Sequence, residues 1–349
     1  MGVDRIQTET KVELCLIRTL KRLLFMLLLV VIVAGGYYGY AFYQFAEDIQ
    51  APNVIEHRQE PGETTKAAEM PVWDGKDRVN ILLMGVDRRG MKNNGLPRSD
   101  SMMLVSVDPV TKRYDLFSIL RDTYVEIPGH GSSRINAAIV EGGPELAMET
   151  VSQLTGLSVD RYVITDFEGF RHLIDAVGGV EIDVEKNMRY RDPTDKGMYD
   201  IDLKKGLQRL DGTKALQYVR FRHDATSDYT RTERQRKLMA ALASQMKNGT
   251  TLIQLPSILK QITPYVQTNI SSMDMLKLAG LGLSLDTQQP GQYQLPPMGT
   301  FRESHRAGSV LIPDVDKVQA FIQEALQPPL KEEKETSSIP QQTSSDTQR

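Results

Sequence analysis

The sequence has a single cysteine, Cys15, in 349 residues. One thiol excludes an intramolecular disulfide and a cysteine-based metal site. There is also no excess charge of either sign. A net charge of -3 and an isoelectric point near 6.0 argue against a general polyanion binder, and so against a nucleic-acid-binding protein. No internal repeat is present. The most informative absence is local: from Leu23 to Ala46 no residue carries a formal charge.

That run, beginning LLFMLLLVVIVAGG, is long enough to cross a bilayer, for which about 20 apolar residues suffice. Lys11, Arg18, Lys21 and Arg22 precede it, and Glu47 and Asp48 follow. The positive-inside bias places residues 1–22 in the cytoplasm, a transmembrane helix at 23–45 and the rest outside the cell. Tyr37, Tyr38, Tyr40 and Tyr43 fall where an outer aromatic belt would lie. A cleaved signal peptide would need a shorter apolar core and a small-residue cleavage site, whereas Ala34-Gly35-Gly36 is followed by tyrosines. MGVDRI lacks the hydroxyl residue that a myristoylation signal carries at position six.

Residues 46–76 are rich in Pro, Glu, Thr and Gln and are expected to form a stalk. Residues 328–349 have too few apolar side chains to repay ordering and are expected to be a disordered tail. Between them, residues 77–327 suit one domain. VNILLMGV, MMLVSV, YDLFSIL, RYVITD and VEIDV read as buried strands, interleaved with helix-period segments such as PELAMETVSQL and FEGFRHLIDAV. DGTKALQYVRFR reads as a short helix running into a strand, and TRTERQRKLMAALASQMK as a helix. The expected fold class is α/β, a single extracellular domain with a central mixed sheet flanked by helices on both faces.

Charged residues gather at the strand ends. The first strand ends at Asp87, and the third leads into Arg121-Asp122. If the second strand returns antiparallel, Arg98 and Asp100 join them at one edge, where open α/β sheets place ligands. Two carboxylates without nearby His or Cys suit a hard divalent cation, magnesium or manganese. Alternatively, Asp87 and Asp100 are loop carboxylates paired to Arg88 or Arg98. Downstream, Arg220 and Arg222 would share one face of a strand. Arg231, Arg234 and Gln235 share one face of the following helix, whose start near Asp228 favours anions. Arginine forks bind phosphate oxygens in pairs. Arg236 and Lys237 read as solvated surface, and Arg234 as an outer support. The combination suits a phosphate-containing ligand such as a pyrophosphate, outside the cell and beside a membrane.

GVDRR, RSDSMMLVSVD, FSILRDTYVEIPG, RINAA, DGTKALQYVRFRHD and DYTRTERQRK occur in that order over about residues 78–247. Together they resemble the LytR-CpsA-Psr family of bacterial cell-wall enzymes. The resemblance implies a phosphotransferase that moves an anionic glycopolymer, such as wall teichoic acid or capsule, from undecaprenyl pyrophosphate to peptidoglycan. It implies magnesium on Asp87 and Asp100, and a pyrophosphate held by Arg98, Arg121, Arg220, Arg222, Arg231 and Gln235. It also implies a hydrophobic tunnel for the lipid tail. Asp228 matches a family position near the site, and either Asp122 or Asp228 could act as the base. Arg134 stands where many members carry lysine. A polyprenyl pyrophosphatase and a non-catalytic lipid or glycan anchor remain as alternatives. A transcriptional regulator is disfavoured, because the topology puts the domain outside and no basic DNA-reading element is present. Selectivity for the polymer is expected in the polar flap at residues 187–198.

Overall fold

Eight residues, Val79–Val86, form the strand from which the sheet is built, and their side chains alternate between its faces. Leu82, Met84 and Val86 enter one buried cluster, and Ile81 and Leu83 pack against another on the opposite face. Fully burying a side chain such as Leu82 contributes about 2 kcal/mol. The structure, a computed structural model, describes residues 3–50, 73–87, 96–191, 200–222, 227–287, 290–305 and 309–327.

In chain order the elements begin with α1 (Val3–Ile49), β1 (Val79–Val86), β2 (Ser99–Asp108), β3 (Arg113–Ile119), β4 (Tyr124–Ile127) and β5 (Gly131–Arg134). Then come α2 (Ala138–Thr155), β6 (Arg161–Asp166), α3 (Phe167–Ala176), β7 (Val180–Val184), β8 (Met188–Tyr190), β9 (Ile201–Leu203) and β10 (Gly206–Leu210). The remainder is α4 (Gly212–Arg220), α5 (Ser227–Met246), α6 (Gly249–Ile253), α7 (Leu255–Ile262), β11 (Val266–Thr268), α8 (Ser272–Ser284), β12 (Gly291–Leu295), β13 (Phe301–Ser304), β14 (Val310–Pro313) and α9 (Val315–Ala325).

The central sheet is mixed, with order β11-β6-β1-β2-β3-β12. β2 runs antiparallel to both β1 and β3, so β1 and β3 point the same way. α2 and α9 cover one face around Met148, Val151, Val318 and Ile322. On the other, Met239 of α5 and Leu281 of α8 pack against Met103 and Leu116. The α/β class with a mixed sheet covered on both faces is therefore as the sequence predicts. VEIDV does form a strand, β7, but among the described residues it pairs with β10 in a separate two-stranded ribbon rather than with the central sheet. Caps follow the local chemistry: Asp166 Oδ1 accepts from Gly169 N at 2.8 Å, and Asp211 Oδ1 from Lys214 N at 2.8 Å.

Two segment boundaries differ from expectation. α1 continues to Ile49, beyond residue 45, because Ala46 and Ile49 are buried against the domain. Trp73 belongs to a core cluster and its Nε1 donates to Asp77 O at 2.8 Å, so residues 73–76 are domain rather than stalk. Residues 51–72 of the expected stalk and the whole tail at 328–349 lie outside the described residues. So do Arg88, Arg89 and the flap from 192 to 198.

Among the described residues one helix is long and apolar enough to cross a membrane, Thr19–Ile49, with mean hydropathy 2.1. It fits a single-pass anchor.

Candidate functional site

The antiparallel β1–β2 pairing sets the acidic edge. Val86 lies opposite Ser99 and Gly85 opposite Ser101, with a bulge between them that accommodates Asp100 as the extra residue. Asp87 follows directly, and Arg121 and Asp122 leave the same end of the sheet from the parallel β3. Arg121 Nη1 donates to Asp100 Oδ1 at 2.8 Å. Asp122 lies 3.7 Å from Arg121 Nε and accepts from Arg134 Nη1 at 3.2 Å.

The basic side comes from α4 and α5, and here one expectation is corrected. Arg220 and Arg222 do not lie on a strand. The Asp211 cap and the buried Ala215, Leu216 and Val219 carry α4 to Arg220, and the backbone then turns extended at Phe221. Both arginines nevertheless line the same cavity, because the buried Phe221 separates them at the turn. The Arg220 guanidinium stacks 5.4 Å from the Phe167 ring centroid at the start of α3. Arg231 is 6% exposed; its Nη1 donates to the Asp100 carbonyl at 3.1 Å, and its Nη2 lies 2.9 Å from Asp228 Oδ1. Arg222 reaches the same Asp228 oxygen at 3.4 Å. Gln235 Oε1 accepts from Ser101 Oγ at 3.1 Å.

Burial pushes Arg231 down to about 10, with Asp228 opposing and Arg222 and Arg121 reinforcing the shift. Burial and then Arg121 likewise lower Arg222. Both remain charged near neutrality, so three guanidinium groups repel one another across a confined space. A polyanion between them would relieve that repulsion.

Asp87, Asp100, Arg121, Arg220, Arg222, Arg231 and Gln235 line one cavity of about 850 Å³. The rest of its wall is mainly apolar, including Leu83, Val163, Phe170, Leu216, Leu242 and Ile262. A neighbouring cavity of about 370 Å³ shares Asp87, Asp100 and Arg121 and adds Arg98, Arg134 and Asn136. The structure thus assembles the predicted pyrophosphate residues around two adjoining spaces, with Arg98 exposed and confined to the smaller one. Asp122 and Asp228 line neither cavity and hold arginines instead.

Arg236 departs from expectation. It is 8% exposed rather than solvated, and its Nε and Nη1 make no hydrogen bond among the described residues. Helical period turns it inward while Lys237, paired with Glu233 at 2.7 Å, stays outside. Sequence reasoning also missed Phe167, Asn136 and Glu185. Asn136 carried a signal in its place two residues after Arg134 in RINAA. Phe167 meets Arg220, and Glu185 meets Arg234, only through the tertiary fold.

A divalent cation can be tested against this donor set. Among the described residues no cluster of three His, Cys, Asp or Glu side chains exists to cage a metal ion. However, Asp87 and Asp100 open on both cavities, and the Asn136 side-chain carbonyl, buried beside them, accepts no hydrogen bond among the described residues. Two carboxylates and one orphaned carbonyl oxygen fit magnesium, which takes few protein ligands and fills its octahedron with water and phosphate oxygens.

Comparison with known proteins adds a family match. The model of the LytR_cpsA_psr family matches residues 38–324. Regulatory protein MsrR of Staphylococcus aureus (strain COL) is 39% identical over 199 residues, 56% of this chain and 57% of that protein. The chain thus spans little more than half the length of that curated relative. TagV of Bacillus subtilis (strain 168), a polyisoprenyl-teichoic acid–peptidoglycan teichoic acid transferase, is 31% identical over 265 residues, 75% of this chain and 66% of TagV. The TagV crystal structure superposes with a TM-score of 0.60 at 29% identity, covering 72% of this chain and 99% of that one. YwtF (TagT) of Bacillus subtilis, solved with bound octaprenyl pyrophosphate lipid, gives a TM-score of 0.54 at 26% identity, covering 74% of this chain and 94% of that one.

Proposed function

We propose, from the premise that this chain belongs to the LytR-CpsA-Psr family, that it transfers an anionic glycopolymer from a polyprenyl pyrophosphate carrier to peptidoglycan. The observation that carries the reading is the composition of the larger cavity. Its charged rim of Arg121, Arg220, Arg222 and Arg231 continues into an apolar chamber, and the whole encloses about 850 Å³. A ligand with a doubly anionic head and a long hydrocarbon tail matches both parts. TagV, named as a teichoic acid transferase, and TagT, solved with a prenyl pyrophosphate, support the same class of substrate.

In the proposed step, a peptidoglycan hydroxyl oxygen attacks the phosphorus that bears the glycopolymer. A phosphodiester P–O bond forms, the P–O–P bridge breaks, and polyprenyl phosphate leaves. Arg220, Arg222 and Arg231 bind the pyrophosphate oxygens and stabilise the charge that collects on the leaving phosphate. Gln235, already bonded to Ser101, fixes the floor of the site. Arg98 lines the smaller cavity, which would admit the acceptor.

Asp87 and Asp100, with Asn136, would hold magnesium (manganese being a chemical substitute), and such an ion when bound neutralises pyrophosphate charge. Asp122 and Asp228 are assigned to positioning: each lies against two arginines and so holds the cationic wall in shape. The hydroxyl proton passes to an acidic-edge carboxylate or to water. The domain is assigned to the outer face of the membrane, a reading supported by the positive-inside bias of the residues before the apolar helix.

The test uses the full-length chain in detergent with a lipid pyrophosphate glycopolymer donor and a peptidoglycan oligomer. Phosphodiester-linked product is expected with wild type and not with Arg220→Ala or Asp100→Ala variants that keep the wild-type circular dichroism. Wild-type rates in both variants overturn the site. Release of free glycan phosphate alone replaces transfer with pyrophosphate hydrolysis.

A further inference from the structure

The outer end of α1 is built into the domain. Tyr38 Oη donates to the Ile253 carbonyl at 2.7 Å, and Gln50 Nε2 donates to Ser272 Oγ at 3.2 Å. Gln50 also forms a parallel bridge with Thr268. Between those points Ala46 and Ile49 are buried, and Phe45 and Ile49 line the large cavity beside Ile262 and Val266. α1 and the α6–α7–β11 segment therefore ascend together, with residue 38 level with 253 and residue 50 level with 268.

This pairing sets a depth for the domain. The uncharged run opens at Leu23, and a hydrocarbon layer of about 30 Å takes about 20 residues at about 1.5 Å each, ending near residue 42. Tyr38 then lies about 6 Å inside the outer edge of that layer. Ile253, bonded to it, is at nearly the same depth, and it is 71% exposed. The surrounding sequence suits such a place: from Asn248 to Leu259 there is no charged residue, and Lys247 and Lys260 flank the run. An exposed isoleucine in an uncharged segment, tied to a membrane helix at the level of an aromatic belt, has the chemistry of an interfacial anchor.

We propose that the α6 tip, centred on Ile253, inserts into the bilayer leaflet on the domain's side and seats the domain there. The cavity wall then begins at the membrane. Phe45 lies seven residues beyond Tyr38, about 10 Å along the helix, and already faces the cavity. A hydrocarbon tail can move from lipid to cavity along α1 without crossing open water. The passage of the tail rests on the function proposed above; the seat rests on α1 alone.

The test reads depth in the full-length protein, with Cys15→Ser as background. Single cysteines introduced by Ile253→Cys and Gln254→Cys carry an environment-sensitive nitrobenzoxadiazole label. Val110→Cys and Leu207→Cys, at exposed sites on the β2–β3 turn and β10, serve as controls. The protein is reconstituted into phosphatidylcholine–phosphatidylglycerol vesicles containing lipid spin-labelled high on the acyl chain. Quenching at 253 and 254 at least threefold that at 110 and 207 is expected, with blue-shifted emission. Equal quenching at all four sites overturns the seat, whatever the transfer activity. Selective quenching in a wild-type protein that transfers no polymer sustains the seat and overturns the function instead.

Discussion

Arg234 donates from Nε to Glu185 Oε1 at 2.6 Å, and through that bond a residue outside the cavity aims two residues inside it. The Arg234 side chain is 2% exposed; its Nη1 donates to the Phe221 carbonyl at 2.9 Å and its guanidinium lies 5.2 Å from the Phe221 ring centroid. Phe221 separates Arg220 from Arg222. Fixing its ring and carbonyl fixes the directions in which the two cavity arginines leave the backbone. Arg234→Met should therefore lower unfolding stability by about 1–3 kcal/mol, because it leaves the Phe221 carbonyl without its donor, while the exposed Glu185 carboxylate can turn to solvent. Prenyl pyrophosphate binding should also fall at least tenfold in the fraction that stays folded. Arg234→Lys keeps the charge without the fork, so it should recover part of the stability and little of the binding. Urea denaturation and equilibrium binding separate the two losses.

The same pair predicts a pH dependence. Burial alone would raise the Glu185 carboxyl, but its own backbone amide and the Arg234 guanidinium outweigh burial and hold it below the usual glutamate value. A carboxyl with a lowered folded-state pKa binds fewer protons when folded. Its stabilising contribution is complete above the unfolded value near 4.5 and disappears as pH falls through the lower folded value. The urea midpoint should thus decline as pH drops below about 4.5, and Glu185→Gln should flatten that part of the profile. An unchanged profile in the variant removes Glu185 from the account.

Much of this was legible from sequence because the chemistry is local. The strand ends carrying Asp87, Asp100 and Arg121 follow from apolar runs of known period, and the antiparallel return of β2 then brings them together. The helices that follow Asp166 and Asp211 were legible from their period, and each aspartate caps its helix. What could not be read depends on distant partners. Arg220 and Arg222 looked like strand residues because alternation of apolar and basic side chains over four positions does not distinguish a strand from a helix end. The buried Tyr218, whose hydroxyl donates to Glu185 Oε2 at 3.2 Å, is one of the contacts that decide it. Arg236 shows the same limit: its burial depends on how α5 rotates against the sheet and α4, which composition does not encode.

Removal of the divalent ion should be readable without turnover. The carboxylates of Asp87 and Asp100 border both cavities, and the Asn136 carbonyl is the uncharged third donor proposed for the ion. A unit charge at contact distance in a partly buried site interacts by up to about 4 kcal/mol, reduced where solvent enters. Asp87→Asn or Asp100→Asn should weaken manganese binding, followed by electron paramagnetic resonance with a short prenyl pyrophosphate present, by more than about tenfold. Asn136→Ala, which removes a neutral ligand, should cost less. Equal affinity in all three variants would move the metal away from this edge. Loss only in the aspartate variants would confine it to the two carboxylates.

Val163 offers a way to separate head from tail. It sits on β6 beside β1, partly exposed to the apolar chamber and distant in sequence from every arginine of the rim. Val163→Trp adds a large ring where the tail is proposed to lie and leaves the pyrophosphate contacts in place. Its chamber of about 850 Å³ has limited room to spare, and an overfilled apolar site costs about 1–3 kcal/mol. A long-chain polyprenyl pyrophosphate should consequently bind about tenfold more weakly to Val163→Trp than to wild type, while a ten-carbon pyrophosphate that stays near the arginines should bind almost unchanged. Competition between the two chain lengths measures both affinities on one sample. Equal weakening would mean that the substitution disturbs the head site through β1. No weakening of the long chain would mean that the tail takes another route, and the chamber beneath the arginines would lose its role as the lipid site.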